Sequence, residues 1–306
     1  MTHSFWKIAL IAGAVLACAA AEADTGKLLL TGGVSTIEGA AGGGLSPWAV
    51  IGSNATDGET GAAIHVTRAS TRDYGLNGAG VAVGFNNQYE MSLARQAFNT
   101  GITGPQLGVA DLVLKQTILG VKARIAGDAV LDSDTWKPQI AVGAQLKSLD
   151  SSGLNATLNS LGAKRTGADF YISATKLFLA QGVLVNGTLR ATRANQNGLL
   201  GFGASLGGAN DRYKLMPEFS VAYLLSPRVA IGTEYRRMPN NLQIAGQAAG
   251  LGAGLQSDAW RDFFVAWAPS KHVSLTLAYV DLGRIVPGTT AGRAQTGTYI
   301  SAQFAF

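Results

Sequence analysis

The sequence predicts an all-β fold, a transmembrane antiparallel up-and-down β-barrel of about twelve strands. The prediction rests on a carboxy-terminal stretch that alternates in polarity and ends on Phe306, on further alternating stretches before it, and on links whose lengths alternate. A tilted strand needs roughly ten residues to cross a bilayer. Closing such a sheet leaves no unpaired backbone edge in the hydrocarbon.

The carboxy-terminal stretch, residues 295–306, has a period of two. Its apolar or β-branched face consists of Thr298, Ile300, Ala302, Phe304 and Phe306. Such alternation makes a strand with one apolar and one polar face, and a terminal Phe suits an interfacial aromatic girdle. The stretch resembles the last strand of bacterial outer-membrane barrels, which the barrel-assembly machinery reads as a signal. The alternative is an ordinary final strand of a soluble β-domain.

Composition indicates one large, ordered β-domain. Of 306 residues, 14% are charged and 40 are Gly, with a net charge of +5. Barrels of more than 200 residues routinely form one unit, and so few charges argue against disorder through repulsion. After residue 24 the sequence has no uninterrupted apolar stretch of the length that a membrane helix needs. An inner-membrane helix bundle is therefore disfavoured.

Residues 1–23 read as a secretory signal peptide. Lys7 supplies the positive start, residues 8–16 the apolar run, and residues 21–23 a small-x-small cleavage site. Cleavage there would remove Cys18, the only cysteine. The alternative is a lipoprotein lipidated on Cys18, because residues 15–18 loosely resemble a lipobox.

Residues 24–60 are too rich in Gly for a regular strand, since Gly adopts backbone conformations closed to other residues. The segment is either a flexible periplasmic tail or an insert that folds into the barrel lumen. Leu28, Trp48, Val50 and Ile51 favour packing against something, because free tails seldom carry so many apolar residues.

Residues 61–306 form the predicted barrel. The alternating segments are 61–70, 77–86, 88–98, 112–126, 137–148, 168–179, 183–195, 213–225, 228–238, 259–268, 271–282 and 295–306. The segment 168–179 is ambiguous, because Lys176 shares the parity of its apolar residues and would face lipid.

The links between segments alternate in length. Short links fall at 87, 180–182, 226–227 and 269–270, and long ones at 99–111, 149–167, 196–212, 239–258 and 283–294. Outer-membrane barrels have short periplasmic turns and longer external loops, so all the short links share the periplasmic end with Phe306. One link, 127–136, is long but falls on that end.

Outward aromatic residues form a predicted girdle near the periplasmic ends, because aromatic rings favour membrane interfaces. They are Phe85, Tyr89, Trp136, Tyr223, Trp267, Phe304 and Phe306. The alternative is that they form the core of a soluble β-sandwich.

The inward positions form a predicted polar lumen. By parity they include His65, Glu90, Lys122, Arg124, Gln145, Lys147, Asn186, Arg190, Glu218, Glu234 and Arg236. These residues either fill a closed barrel with ion pairs or line a pore, where rings of charge set ion preference. Basic residues outnumber acidic ones among them, which suggests small anionic solutes as partners.

Catalytic and metal chemistry is not expected. Beyond residue 23 there are two histidines, His65 and His272, and no cysteine, so a His/Cys metal cluster is nearly excluded and no cofactor is expected. His65 could serve a barrel hydrolase as a base, but spacing singles out no second residue. Residues 203–207 match the nucleophile-elbow pattern by chance, since an elbow joins a strand to a helix. Basic residues are too scattered for nucleic acid.

Four stretches, 28–52, 174–203, 217–236 and 264–283, resemble domain-of-unknown-function family 3034, described as bacterial outer-membrane β-barrel proteins. The resemblance implies that residues 28–52 belong to the domain, which favours a lumenal insert. It brings no catalytic residue. We therefore expect a porin-like channel in the bacterial outer membrane, in contact with its lipid. The alternative is a structural or adhesive closed barrel with partner-binding external loops, and the pattern is silent on oligomeric state.

Overall fold

The chain forms one closed antiparallel β-barrel with an amino-terminal segment inside it. The computed structural model describes residues 27–151, 153–208 and 211–306, so the expected signal peptide and Cys18 lie outside the described residues. A small hairpin of β1 (Val34–Ser35) and β2 (Ala41–Gly42) precedes the barrel. The barrel strands are β3 (Thr60–Thr71), β4 (Gly75–Phe85), β5 (Tyr89–Asn99), β6 (Val113–Ala126), β7 (Gln139–Asp150), β8 (Thr166–Phe178), β9 (Val183–Thr192), β10 (Lys214–Ser226), β11 (Val229–Arg236), β12 (Trp260–Ser270), β13 (Val273–Asp281) and β14 (Thr296–Ala305).

Each barrel strand pairs with the next along the chain, and β14 pairs with β3 to close the sheet. The last residue takes part in this closing seam: Phe306 N donates to Ala62 O over 2.7 Å, and Ala62 N donates to Phe306 O over 3.0 Å. The predicted twelve-strand antiparallel barrel is confirmed. Phe306 thus follows β14 directly and extends the hydrogen bonding of the closing seam.

The two faces of the strands separate as the alternation predicts. Leu146, Phe219, Leu277 and Ile300 are each more than half exposed on the outside. The polar residues between them point into the barrel and are buried, because the interior is filled. A broad apolar exterior around a polar interior is the arrangement of a barrel in lipid. Among the described residues, no helix is long and apolar enough to cross a membrane.

The two ends of the barrel differ. The links at residues 86–88, 179–182, 227–228 and 271–272 lie at one end, which we call the short-turn end. The opposite, long-loop end carries residues 100–112, 151–165, 193–213, 237–259 and 282–295, with short helices at Thr103–Gln106, Asn155–Ser160 and Leu242–Ala248. The link between β3 and β4, residues 72–74, is a tight exception at the long-loop end.

Two features broke the sequence pattern: the long link at the periplasmic end and the outward parity of Lys176. One contact explains both. The long link at the short-turn end, residues 127–138, folds against the outer side of β8. There the Lys176 ammonium donates to the carbonyl oxygens of Asp132 and Lys137. Lys176 has outward parity, opposite Val185, yet is buried by this link rather than left in lipid.

The expected girdle residues lie outside the barrel at the short-turn end. Phe85, Tyr89, Tyr223, Trp267 and Phe304 are 36–50% exposed, and Trp136 on the 127–138 link is 84% exposed. Phe306 is half-buried, with its ring centroid 6.3 Å from that of His272. The positions suit an interfacial belt, whose contact with a membrane remains a prediction.

Candidate functional site: a charged lumen closed by a plug

Residues 27–59, which we call the plug, lie inside the barrel. Their hairpin, β1 and β2, carries Glu38 in its turn, where Thr36 N donates to Ala40 O over 2.8 Å. Gly39 follows with a φ of 93°, and a Cβ there would lie 2.9 Å from the Cβ of Ala94 on the barrel. Only Gly fits this left-handed position so close to the wall. Residues 27–59 therefore lie inside the barrel in the structure.

Five neighbouring strands, β7 to β11, contribute one residue each to a row of inward charges whose signs alternate around the barrel, and β11 also carries Glu234 inside. The residues are Lys147, Asp169, Arg190, Glu218 and Arg236, which we call the charged wall. Lys147 Nζ lies 2.7 Å from Asp169 Oδ2, and Arg236 Nε lies 3.3 Å from Glu218 Oε1. Arg190 bonds to Glu218 and Asp169 on either side. The wall alone carries one net positive charge.

Glu38 of the plug supplies the missing negative charge. Its Oε2 accepts from Arg190 Nη2 over 3.0 Å and from Arg236 Nη1 over 3.1 Å. Its Oε1 accepts from Arg236 Nη2 over 3.3 Å and also from Lys147 Nζ. All of these side chains are almost fully buried. Glu38 and the charged wall together are electrically neutral, which a buried cluster requires.

A second contact holds the plug nearer the short-turn end, through Glu90 and Lys122, which we call the clamp. Glu90 accepts the backbone N–H groups of Ala41 (3.1 Å) and Gly52 (2.7 Å). Lys122 Nζ donates to Ala41 O (3.0 Å), to Val50 O (2.8 Å) and to Glu90 itself (3.2 Å). The clamp therefore binds backbone groups of the plug at Ala41, Val50 and Gly52.

Other wall side chains form hydrogen bonds with further backbone groups of the plug. Glu234 accepts the N–H groups of Leu45 (2.8 Å) and Ser46 (3.3 Å). Ser173 and Thr188 both donate to Pro47 O, over 3.0 and 2.8 Å. Because the plug is mainly irregular backbone, its polar groups need such partners when buried. Two of the cavities that remain within the barrel measure only about 50 and 30 Å³.

A turn from the long-loop end, Asn195–Gly198, folds inward onto the plug, and we call it the inward turn. Gln196 and Asn197 adopt left-handed φ values of 45° and 61° there. Asn197 Oδ1 accepts from Lys147 (2.9 Å) and from Arg236 (2.8 Å), the same cations that bind Glu38. Plug and inward turn thus close the lumen from opposite ends and meet on shared donors.

The rim of the long-loop end carries an exposed ion pair. Arg284 donates to Asp258 through Nε (2.7 Å) and Nη2 (2.8 Å) and joins the loops 237–259 and 282–295. The hydrogen bonds from Arg284 hold the pKa of the Asp258 carboxyl below its usual value of 3.8. Charge-assisted bidentate pairs of this kind favour the ionised carboxylate.

The residues predicted to line the lumen all lie on its inner side, and most touch the plug. Glu90, Lys122, Lys147, Arg190, Glu234 and Arg236 bond to it directly, and Arg124 reaches Asp57 over 3.2 Å at the short-turn mouth. Gln145 supports Arg190, Asn186 accepts from Thr175, and Glu218 lies between the two arginines. Their part in solute passage remains a prediction.

Sequence reasoning missed Glu38, Asp169, Asn197 and Asp262. Glu38 could have been identified from the sequence, because it is the only charged residue between 28 and 56. Asp169 shares the inward parity of Tyr171 and Ser173, but the ambiguity over Lys176 hid it. Asn197 lies in a loop without periodicity, so no pattern marks it.

His65 points inward and is fully buried, as its parity predicts. Neither ring nitrogen has a hydrogen-bond partner within the part of the chain that the structure describes. Ser205 of the 203–207 match lies exposed in the loop between β9 and β10. Across the described ranges, no group of three or more His, Cys, Asp or Glu residues is placed to hold a metal.

A closed antiparallel barrel with an apolar exterior, a charged interior and an amino-terminal plug defines the class of outer-membrane-type β-barrels. Residues 31–303 match the family described as protein of unknown function (DUF3034), and the chain belongs to that family. The resemblance noted in the sequence is confirmed.

Several solved barrels are similar in structure. The NanC porin has a TM-score of 0.49 at 12% identity, covering 79% of this chain and 98% of that one. The KdgM porin has a TM-score of 0.47 at 10% identity, covering 80% and 99%. Outer membrane phospholipase A from Escherichia coli has a TM-score of 0.42 at 9% identity, covering 80% and 92%. No curated protein sequence matches the chain.

Proposed function

We propose that this protein is a channel for small solutes in the bacterial outer membrane, closed by its own plug. The observation that carries the proposal is the charged wall, which remains on the barrel whether or not the plug is present. Lys147 keeps Asp169, and Arg190 and Arg236 keep Glu218, as partners on neighbouring strands. Displacing the plug would leave a polar lumen with its charges already arranged.

The energetics favour a plug that can leave the lumen. In a permanently filled barrel, buried ion pairs bring no advantage, because well-packed apolar residues of similar volume are often equally or more stabilising. Here the plug is held by hydrogen bonds between wall side chains and its backbone and by an apolar cluster in which Val34, Leu45 and Trp48 take part with barrel residues. Water can replace hydrogen bonds of this kind when the plug leaves, which it cannot do for apolar packing.

The preferred solutes are small anions. Asp169 and Asp262, which the sequence reasoning omitted, add two acidic groups to the inner wall and offset the expected excess of base. The preference therefore comes from the charged wall, whose three cations and two anions leave one positive charge. Charged linings of this kind set ion selectivity.

The test is single-channel recording in planar bilayers, comparing the chain with and without residues 27–59. Larger or more frequent current steps after deletion, with a reversal potential that favours anions, support the channel. The matched control is Asp57→Ala, which alters an exposed plug carboxylate and should leave the current unchanged. Silence from both the complete and the deleted chain would contradict the proposal.

The second candidate is a structural or adhesive closed barrel. It is favoured by the completeness of the plug's contacts and by exposed apolar side chains in the loop 237–259, where Ile244 and Leu251 are 46% and 54% exposed. Silence in the recordings, together with loss of a surface interaction when this loop is shortened, would favour it.

Neither candidate is an enzyme. A barrel hydrolase would instead show turnover of phospholipid or peptide substrates that disappears in His65→Ala. Assembly of the barrel is proposed to proceed through the machinery that reads the strand containing Thr298, Ile300, Phe304 and Phe306. In the folded barrel Ile300 and Phe304 face outward from that strand, where such a reader could contact them.

A further inference from the structure

The surroundings of Glu38 have the features of a ligand site rather than of a structural ion pair. Each carboxylate oxygen accepts from two cationic side chains: Arg236 uses both terminal nitrogens, while Lys147 and Arg190 each approach one oxygen. A guanidinium fork across a planar carboxylate is a geometry that discriminates shape as well as charge.

The donors are positioned without help from Glu38. Arg190 is fixed by Glu218 and by Gln145 at 2.8 Å, and its guanidinium carbon lies 5.6 Å from the centre of the Tyr171 ring. The guanidinium of Arg236 lies 5.9 Å from the ring of Trp260. Barrel residues alone therefore preorganise the donors, which is what a binding site requires.

Charge limits the class of ligand. The five residues of the charged wall carry three cations and two anions, so one bound monoanion balances the charge of this row. A doubly charged phosphate would leave an excess negative charge in a buried environment, which is costly. A neutral amide would offer one acceptor oxygen instead of two.

We propose that the charged wall is a binding site for small carboxylate-bearing solutes, and that Glu38 occupies it as an internal substitute for the ligand. The claim that the bound carboxylate belongs to a transported solute rests on the proposed channel. The claim that the charged wall binds a carboxylate does not depend on conduction. A solute carboxylate that binds there competes with Glu38 and so weakens the closed state of the plug.

The test is chemical rescue. Glu38→Ala leaves the Cβ and removes the Cγ and carboxylate, which acetate replaces atom for atom. The variant is refolded into detergent micelles with acetate, acetamide, chloride or phosphate at equal ionic strength. Folded yield and the midpoint of thermal unfolding are measured.

Acetate should raise both yield and midpoint of Glu38→Ala, at a concentration about tenfold lower than chloride needs, because it restores the charge-assisted bonds. Glu38→Gln is the matched control: its amide fills the same space, so acetate should have no effect. Asp57→Ala, whose carboxylate is exposed, should also be insensitive.

Equal effects of acetate and acetamide, or equal effects of all the salts, would overturn the carboxylate site. Failure of Glu38→Ala to fold in any of them would overturn it too. Rescue of Glu38→Ala by acetate, together with silence in bilayers from the chain that lacks residues 27–59, would keep the site and remove the channel. Conduction by the chain that lacks residues 27–59, without rescue of Glu38→Ala by acetate, would keep the channel and remove the carboxylate site.

Discussion

Replacing Lys122 with Met removes the ammonium that joins plug and barrel in the clamp. The ammonium donates to Ala41 O, Val50 O and Glu90, at distances from 2.8 to 3.2 Å, in a fully buried setting. Lys122→Met keeps much of the side-chain length and leaves Glu90 buried without its cation.

The expected cost falls on plug docking. Removing one partner of a buried ion pair is worth about 3–5 kcal/mol. At about 1.4 kcal/mol for each factor of ten, the population with the plug displaced should rise roughly a hundredfold to a few thousandfold. The barrel strands, held by their own ladders, should change little.

Hydrogen–deuterium exchange measures this directly. Amides in residues 34–52, including those of Ala41 and Gly52, should exchange faster by that factor, while strand amides keep their protection. Lys164→Met is the control, because Lys164 pairs with Asp211 at 56% side-chain exposure and such pairs contribute only about 0–1 kcal/mol. Unchanged plug amides, or an equal loss of protection in the strands, would refute the role of the clamp.

Three further predictions concern the barrel itself. Leu277→Arg, at the middle of an outward row, should cost about 2–4 kcal/mol in lipid unfolding experiments, and Val273→Arg near the strand end about 0–1; equal costs would contradict the lipid face. Because Arg284 depresses the pKa of Asp258, the stability of their loop contact is complete above pH 3.8 and is lost as the pH falls through the lower folded value; an NMR titration showing an ordinary value would contradict it. Phe306→Ala keeps both backbone hydrogen bonds to Ala62 and should reduce assembly in cells while sparing folding in micelles; equal losses in both would argue against an assembly signal.

The barrel could be predicted because lipid outside and polar groups inside impose a period of two on every strand. The twelve strands fall within a few residues of their predicted bounds. The largest differences occur where another element intervenes: β9 ends at Thr192, three residues early, because Asn195 already belongs to the inward turn. Lys176 broke the pattern because a link from the short-turn end covers it.

The site could be predicted only in part. The wall charges follow strand parity, so Lys147, Arg190 and Arg236 were all expected inside. The plug has no period, because its contacts use backbone N–H and C=O groups that every residue carries. Its path is therefore invisible in the sequence, although the isolation of Glu38 in an otherwise uncharged stretch marks its contact with the charged wall. The inward turn depends on left-handed backbone at Gln196 and Asn197, which residue type alone does not specify.

The most direct test of the closing plug uses a removable cross-link. Ser35 Oγ of the plug donates to Gln303 Oε1 of β14 over 2.8 Å, and the chain beyond residue 23 has no cysteine. Ser35→Cys and Gln303→Cys, bridged by a short bis-methanethiosulfonate reagent in the Lys122→Met background, should hold the barrel silent in a planar bilayer. Adding a reductant to the same bilayer should start current steps. Equal current before and after reduction would contradict closure by the plug.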